Sequence, residues 1–268
     1  MQAITASDVH EVLDTPGSLR TVFQPIVDLW ARRTVGFEAL CRVTIREPAS
    51  PGPWLAAARR AGLGLALESK AFAEALRALP TMRDGRFLSM NLSLEALAWG
   101  GVGRRLRDVD PERVVVEITE DVAMPAVPHR DLVLDGLRAR GLRLAIDDVG
   151  TGYSSLARIL EVRPDLIKVD RELVQGCAVD PSRRIVLQMI RDLAASQDGE
   201  VIAEGVEDLA DLQVVEQIGI RYAQGFLLGR PGDTPTDVVP PAATPRVPAR
   251  SVDLSAVEAA IATLPLRD

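Results

Sequence analysis

The sequence contains little cysteine and histidine, the residues that form disulfides and most zinc sites. Its 268 residues include two cysteines, Cys41 and Cys177, and two histidines, His10 and His129. Cysteines this far apart indicate neither a disulfide framework nor a thiolate metal site, and they fit a reducing cytosol. The histidines lie outside every predicted polar strand end, which argues against a zinc site. Any metal would therefore be held by oxygen ligands, as Mg²⁺ and Mn²⁺ are.

Positive charge, lysine and long apolar runs are also scarce. The formal net charge is −7, so broad electrostatic binding to a nucleic-acid polymer is not expected. No apolar run approaches the length that crosses a bilayer, and the N-terminus has no signal-peptide pattern, so we expect a cytoplasmic protein with no membrane span. Only Lys70 and Lys168 are lysines, and every other basic residue is arginine. A lysine inside an apolar strand, as at Lys168, is therefore unusual.

Short apolar strands alternate with amphipathic helices along most of the chain. The strand-like runs at residues 21–29 and 34–41 are joined by a short turn and predict a hairpin. Further strands recur at a spacing of about 30 residues with helices between them, which is the pattern of a parallel sheet. About eight strands favour a closed barrel. We therefore predict an α/β fold, a (β/α)8 TIM-like barrel with one early antiparallel strand.

Three segments of the chain differ in character. Residues 1–17 are an N-terminal lead, predicted as a weakly helical surface appendage, and residues 18–231 make up the barrel. Residues 232–268 begin with a proline-rich stretch typical of an extended linker or a surface wrap. A short amphipathic helix is predicted over residues 251–264, and it could dock on the barrel or on a partner protein.

Residues 141–155 carry the strongest local signal. A buried strand ends on Asp147 and Asp148, and a loop containing Gly150 and Gly152 follows. Because adjacent residues of a strand point to opposite sides, the two acids can share a site only where the backbone turns. Two carboxylates held that close repel unless a proton or a cation lies between them. The stretch fits a divalent-metal site, and it also fits a polar strand end whose acids cap the next helix.

Polar residues occur near the end of most predicted strands. They are Glu38, Asn91, Glu117, Asp147 with Asp148, Lys168, Glu204 and Gln224. Each alone has a structural explanation, such as solvation or helix capping. In a (β/α)8 barrel, however, the strand ends converge on the face where active sites lie. Five carboxylates at one end of the barrel would repel one another without cations between them. Two metal ions that share a bridging carboxylate would fit phosphodiester hydrolysis.

The motifs around these residues resemble those of the EAL-domain cyclic di-GMP phosphodiesterases. Between about residue 21 and residue 231 the chain carries QPIVDL at 24–29, EALCR at 38–42, NLS at 91–93, EITE at 117–120, DDVGTGYSSL at 147–156, IKVD at 167–170, AEGVE at 203–207 and QGF at 224–226. The resemblance implies a bacterial second-messenger enzyme that hydrolyses cyclic di-GMP to linear pGpG. It also implies two Mg²⁺ or Mn²⁺ ions and a homodimer.

The resemblance implies a role for each matching residue. Glu38, Asn91, Glu117 and Asp147 would hold the first metal, while Asp147, Asp148 and Glu204 would hold the second. Lys168, Glu204 and Gln224 would be catalytic, with Lys168 orienting the nucleophile or stabilising charge on the phosphate and Glu204 with Gln224 positioning or deprotonating a water. Gln24, Leu40 and Arg42 would contact the nucleotide, Pro231 would border a guanine, and Asp170 would be a ligand or a structural contact. Glu120, Gly150, Thr151 and Gly152 would couple the site to the dimer interface.

Two departures from the family pattern affect the function that we expect. Val149 replaces the usual phenylalanine of the DDFGTG loop, which removes packing that could fix the loop and would alter turnover or regulation. Arg59 and Arg60 replace a usual acid in an early helix, away from the expected metals. One alternative is a catalytically idle receptor that binds cyclic di-GMP and signals through a partner protein, but all expected metal ligands are present. A different Mg²⁺ barrel enzyme, such as an enolase-like one, fits the motifs less well.

Overall fold

A computed structural model of the chain describes residues 3–45, 51–83, 85–98, 100–119, 130–150 and 155–241. Within these residues eight strands form a closed barrel whose order around the barrel follows the sequence. The strands are β1 (Leu19–Asp28), β2 (Arg33–Val43), β3 (Phe87–Asn91), β4 (Val114–Thr119), β5 (Arg143–Val149), β6 (Leu166–Val169), β7 (Glu200–Ala203) and β8 (Tyr222–Ala223). The predicted TIM-like barrel is confirmed.

The first strand is the antiparallel member of the barrel. β1 runs antiparallel to both β2 and β8, whereas the other neighbouring strands are parallel. The Asp28 carboxylate accepts hydrogen bonds from the backbone N–H groups of Trp30 and Ala31 and thereby closes the turn between β1 and β2. The predicted hairpin is therefore confirmed, and its register places Gln24 opposite Glu38.

Helices connect the strands and surround the barrel in the described residues. They are α1 (Ala6–Asp14), α2 (Pro51–Arg60), α3 (Gly64–Leu76), α4 (Leu94–Ala98), α5 (Gly100–Arg105), α6 (Arg130–Arg138), α7 (Ser155–Val162), α8 (Arg171–Val174), α9 (Pro181–Ala195) and α10 (Leu209–Ile218). Short 3₁₀ turns occur at Leu79–Thr81, Leu106–Asp108 and Pro111–Arg113. As the Asp-Pro pair predicts, Asp180 caps α9 and Pro181 is its first residue. None of the helices described combines the length and the apolar composition needed to span a bilayer.

An apolar layer lies inside the barrel beneath the polar strand ends. Its members are Ile26, Phe87, Val115, Ala145, Leu166 and Ile202. Since side chains two residues apart on a strand share a face, each member occupies the same face as a polar residue of the adjoining layer. Gly36 completes the layer, because the Phe87 ring fills the space that a side chain at Gly36 would need. This layer separates the candidate site from the opposite end of the barrel.

The N-terminal lead is packed against the barrel. Val9 and Val12 of α1 are fully buried and belong to one cluster with Trp54 of α2. The Lys70 ammonium of α3 donates to the carbonyl oxygens of Val12, Leu13 and Thr15, at 2.7, 2.9 and 2.9 Å. The lead is helical, as predicted, but this packing differs from the predicted surface appendage.

Residues 232–241, here called the strap, follow the hairpin from its middle to its turn. Gly232 exchanges two backbone hydrogen bonds with Phe23 of β1, at 2.8 and 3.0 Å. Further along, Asp237 accepts two hydrogen bonds from Arg86, both at 3.1 Å, and the Val238 N–H donates to Thr34. The predicted surface wrap is therefore present over these residues. The predicted helix at 251–264 lies outside the described residues.

Candidate metal and active site

A bulge in β5 brings two adjacent acids to one site. The pairing of β5 with β6 shifts between Ile146 and Val149, and Asp148 has a φ of 58°, in the left-handed region. The two carboxylates of Asp147 and Asp148 therefore converge, and one oxygen of each lies within 4.8 Å of the other and of one from Glu204. The predicted turn of the backbone is present, but the strand continues through it to Val149 instead of ending on the two acids.

A second group of carboxylates adjoins the first. Glu38, Glu117 and Asp147 each offer one oxygen, and these oxygens also lie within 4.8 Å of one another. Glu117 is fully buried, and Glu38 and Asp147 are each 7% exposed. Asp147 belongs to both groups. Two neighbouring sets of hard oxygen donors that share one residue have the composition that pairs of Mg²⁺ or Mn²⁺ ions require.

Lys168 lies at the centre of the acids. Its Nζ is 2.9 Å from Asp147 Oδ1, 2.9 Å from Glu204 Oε1, 3.0 Å from Glu117 Oε2 and 3.5 Å from Glu38 Oε1. The side chain is 1% exposed, so these contacts are shielded from solvent. If all four carboxylates were ionised, the single ammonium would leave three negative charges uncompensated. The arrangement therefore favours the uptake of further positive charge.

The pKa values of the cluster reflect this excess of acid. Burial raises the pKa of Glu117 to about 8, assisted by Glu38 and Asp147 and opposed by Lys168. Burial likewise raises the pKa of Glu204 well above its ordinary value. Burial alone would lower the pKa of Lys168, but the surrounding carboxylates outweigh it and raise that pKa well above its ordinary value. Lys168 is thus held in its charged form while the acids attract protons or metal ions.

Two side chains of β3 hold Glu117 in place. Ser89 Oγ donates to Glu117 Oε1 at 2.5 Å, and Asn91 Nδ2 donates to Glu117 Oε2 at 2.9 Å. Because Asn91 donates through its nitrogen, its amide oxygen remains available as a ligand. Ser89 was not among the predicted site residues. Its position two residues before Asn91, on the same face of β3, is the signal that could have found it.

A chain of amide hydrogen bonds closes the other side of the site. Gln224 Nε2 donates to Glu38 Oε2 and, at 3.1 Å, to Gln24 Oε1. Gln24 Nε2 in turn donates to the backbone oxygen of Gly229 at 3.1 Å. Gln224 Oε1 is buried and has no hydrogen-bond partner within the part of the chain that the structure describes. Gln224 therefore contacts the acid cluster directly.

The acids open into a cleft of about 280 Å³. Of the residues predicted to contact a nucleotide, Gln24, Leu40 and Asp170 line this cleft. Arg42 and Pro231 are not part of its lining, and the Arg42 guanidinium donates to the backbone oxygen of the preceding residue at 2.8 Å. The predicted metal and catalytic residues therefore lie together in the structure, whereas only some of the predicted nucleotide contacts line the cleft.

Five residues of the cleft wall had no predicted role, although motifs already noted contain four of them. They are Arg171, Gly205, Glu207, Gly225 and Phe226. Phe226 is 46% exposed, and the Arg230 guanidinium lies 4.2 Å from the centre of its ring. Gly205 has a φ of 63°, and a side chain there would collide with Arg171. Glycine is therefore required at this position for the cleft wall to form.

The predicted coupling loop is described only in part. Glu120, Thr151 and Gly152 lie outside the described residues. Gly150 has a φ of 126°, and a side chain at this position would collide with Leu173 of α8. Val149 is 1% exposed and belongs to the main apolar core. The valine that replaces the usual phenylalanine is therefore packed inside the protein.

A family model described as the EAL domain matches residues 10–231. The chain belongs to the EAL domain family. This EAL domain is 31% identical over 209 residues to the bifunctional diguanylate cyclase/cyclic di-GMP phosphodiesterase MucR of Pseudomonas aeruginosa. It is 35% identical over 231 residues to the probable cyclic di-GMP phosphodiesterase PdeI of Escherichia coli. These matches cover 74% and 80% of the present chain but only 30% and 29% of the relatives.

Solved structures give the same result. The complex of the PaMucR phosphodiesterase with c-di-GMP has a TM-score of 0.74 and 30% identity to this EAL domain, over 84% of the present chain and 96% of that chain. A manganese and cyclic di-GMP complex of Klebsiella pneumoniae BlrP1 has a TM-score of 0.74 and 29% identity, over 86% of the present chain and 60% of that chain. The predicted family is confirmed.

Proposed function

We propose that this EAL domain is a metal-dependent phosphodiesterase that hydrolyses cyclic di-GMP to linear pGpG. The observation that carries the proposal is the pair of carboxylate groups that share Asp147 and surround the buried Lys168 in one cleft. The relatives named as cyclic di-GMP phosphodiesterases, and the neighbours solved with this nucleotide, support the same substrate.

The donor set fits two divalent cations, which we propose to be Mg²⁺ or Mn²⁺. Glu38, Asn91, Glu117 and Asp147 would hold one ion, and Asp147, Asp148 and Glu204 would hold the other. All of these donors are hard oxygen atoms, and the excess of carboxylate around Lys168 provides the charge that two cations require. When bound, such ions activate a water for attack on phosphorus and offset the charge of the phosphate.

Three side chains would act on the reacting groups. We assign to Lys168 the orientation of the attacking water and the stabilisation of charge that develops on the phosphate, since its ammonium already contacts the acids that frame the cleft. Glu204 would position or deprotonate the attacking water, because its carboxylate lines the cleft beside the Lys168 ammonium. Gln224 would position that water through its amide oxygen.

The other predictions concern contacts beyond the acid cluster. Gln24, Leu40, Arg42, Asp170 and Pro231 remain our proposed nucleotide contacts, and the homodimer and the cytoplasmic location remain predictions. So do the domain limits at residues 18 and 231 and a partner protein for the helix predicted at residues 251–264.

A turnover assay tests the proposal. Purified protein is mixed with cyclic di-GMP in Mg²⁺ or Mn²⁺, with a chelated sample, the variant Glu38→Ala and the control Glu95→Ala, an exposed acid of α4. We expect pGpG from the wild type and the control and none after chelation or with Glu38→Ala. Tight binding without turnover, at several protein concentrations, would reject the enzyme and assign the protein to the idle receptors, with the loop at Val149 as the suspected cause.

A further inference from the structure

Glu68 is a buried carboxylate of α3 that lies outside the acid cluster. It is 7% exposed, and its Oε2 accepts a hydrogen bond from the Ser93 backbone N–H at 2.8 Å. Its Oε1 lies 3.4 Å from Nη2 of Arg59, whose side chain is 60% exposed. Because an ion pair with an exposed partner contributes little, the backbone hydrogen bond is the contact that accounts for a buried acid at this position. Glu68 thus joins α3 to the turn after β3.

This turn begins at Asn91, a proposed metal ligand. Asn91 is the last residue of β3 and lies opposite Glu117 in the pairing of β3 with β4. The Leu92 N–H donates to the Glu117 backbone oxygen at 3.1 Å. The Ser93 hydroxyl then accepts a hydrogen bond from a backbone N–H of α4 at 3.1 Å and so caps that helix. Since the Ser93 N–H donates to Glu68, this carboxylate fixes the point at which the chain turns from the strand into the helix.

Packing holds the turn only loosely on the side that faces α3. A cavity of about 100 Å³ lies between the β1–β2 hairpin and helices α2 and α3, and both Glu68 and Asn91 line it. Atoms beside a void lose van der Waals contacts on that side. Asn91 would therefore have space to move if the turn were released, and the hydrogen bond from Ser93 to Glu68 restrains it.

The helix that carries Glu68 is itself anchored to other parts of the protein. The next residue, Ser69, is 6% exposed, and its hydroxyl accepts a hydrogen bond from Arg105 of α5 at 3.4 Å. Lys70 follows and donates to three carbonyl oxygens at the C-terminal end of α1. Three consecutive polar residues of α3 thus bind three different segments. The acceptor for the Ser93 N–H is therefore carried by a fixed support.

We infer that Glu68 is a positioning residue that fixes the turn after β3 and, through it, the Asn91 amide at the metal site. The inference rests on the proposed function, because that proposal makes Asn91 a ligand of one ion. Glu68 does not line the cleft that holds the acid cluster. It acts through the backbone, since Ser93 lies two residues after Asn91. Partners that orient a metal ligand typically change metal affinity or activity by about 10–100-fold.

The variants Glu68→Met and Glu68→Gln test the inference. Methionine has nearly the length of glutamate but no oxygen acceptor, whereas the amide oxygen of glutamine can still accept from Ser93 without the negative charge. Glu74→Met is the matched control, since Glu74 also lies on α3 and pairs with an arginine, Arg77, at 3.1 Å. The measurements are the Kd for Mn²⁺ and, at saturating Mn²⁺, kcat and KM for cyclic di-GMP.

Only the variant that removes the acceptor should affect the metal site. For Glu68→Met we expect a loss of about tenfold in Mn²⁺ affinity and in kcat. Glu68→Gln and Glu74→Met should stay within about twofold of the wild type in both quantities, and KM should stay within about twofold in all three variants. Should Glu68→Met fail to fold, Glu68→Asp replaces it with the same expectation, because its shorter side chain keeps the charge but withdraws the acceptor from Ser93.

A second comparison makes the result independent of any loss of stability. If Glu68 acts through Asn91, Glu68→Met should not weaken Mn²⁺ binding further in an Asn91→Ala background, because the effects of coupled residues are not additive. Additive losses would overturn the inference, as would unchanged Mn²⁺ affinity in Glu68→Met. An equal loss in Glu68→Gln and Glu68→Met would also overturn it, because the effect would then come from the charge of Glu68 and not from its hydrogen bond.

The proposed function and this inference can fail separately. A wild-type protein that binds Mn²⁺ without forming pGpG would reject the phosphodiesterase, and the Mn²⁺ affinities of the variants would still decide the role of Glu68. Weaker Mn²⁺ binding by Asn91→Ala combined with unchanged binding by Glu68→Met would overturn the inference and leave the proposed ligand set in place.

Discussion

Replacing Lys168 by methionine would remove the cation that the described site holds among its acids. Methionine approximates the length of the lysine stem, so the change deletes the charge with little change in packed volume. Glu38, Glu117, Asp147 and Glu204 then face one another without the ammonium that lies 2.9–3.5 Å from each. Removing one partner of a buried ion pair costs about 3–5 kcal/mol. Because about 2–4 °C of Tm correspond to 1 kcal/mol in a domain of this size, we expect Tm to fall by about 6–20 °C.

Divalent cations should reverse the effect on stability but not the effect on turnover. In the presence of Mn²⁺ the added charge compensates the acids, so the difference in Tm between Lys168→Met and the wild type should narrow. The variant should also bind Mn²⁺ more tightly than the wild type, because the competing ammonium is gone. Thermal unfolding with chelator and with Mn²⁺, together with a Mn²⁺ titration and a turnover assay, measures all three quantities. Turnover should be lost in both conditions.

The chain offers a matched control for this experiment in its other lysine. Lys70 is also well engaged, since its ammonium donates to three backbone carbonyls and to Ser18 Oγ. Lys70→Met should lower Tm by the same amount with or without Mn²⁺ and leave kcat of the folded protein unchanged. A Tm difference for Lys168→Met that does not depend on metal, or no Tm difference at all, would refute the argument that Lys168 compensates the acids.

Three further predictions follow from the same structure. Asp147→Asn should abolish turnover and weaken Mn²⁺ binding more than Asp148→Asn does, because Asp147 belongs to both carboxylate groups; a titration that finds the two variants equal would contradict this. Burial alone would raise the pKa of Asp211, but two backbone amides that donate to its carboxylate at 2.8 Å outweigh it and lower the pKa. The wild type should therefore exceed Asp211→Asn by about 1–3 kcal/mol in urea unfolding at neutral pH. This advantage is complete above the ordinary pKa of 3.8 and should disappear as the pH falls through the lower pKa of the folded state, whereas an advantage that persists in acid would contradict it. Asp237→Ala should destabilise the protein by about 1–3 kcal/mol without changing kcat, because it leaves the buried Arg86 without its carboxylate; unchanged urea unfolding would contradict it.

The features that the sequence predicts are those that depend on short-range patterns. The short apolar runs of the strands, the turn between β1 and β2 and the Asp180-Pro181 start of α9 each depend on a few neighbouring residues, and the structure has all of them. The polar strand ends were also recognisable, because a barrel brings the ends of its parallel strands to one face. These patterns were sufficient to predict the fold and to predict which carboxylates form the acid cluster.

The features that the sequence does not predict depend on closure of the barrel or on backbone geometry. No sequence pattern predicts that Asp148 adopts a φ of 58°, the conformation with which the strand continues past the acids. The contacts of Lys168 join four strands and the loop after β7, so they exist only once the barrel is closed. The hydrogen bond from Gln24 to Gly229 spans 205 residues of sequence, so no local pattern predicts it.

The strap affects where the chain can be truncated for expression. The family match ends at Pro231, yet Val238 packs against the main core and Arg32 donates to the carbonyl oxygens of Pro240 and Pro241. A fragment that ends at Pro231 would lose these contacts and would expose apolar surface of the β1–β2 hairpin. This hairpin carries Gln24 and Glu38 of the candidate site. The shortest fragment worth expressing therefore ends at residue 241 or later, about ten residues after the end of the family match.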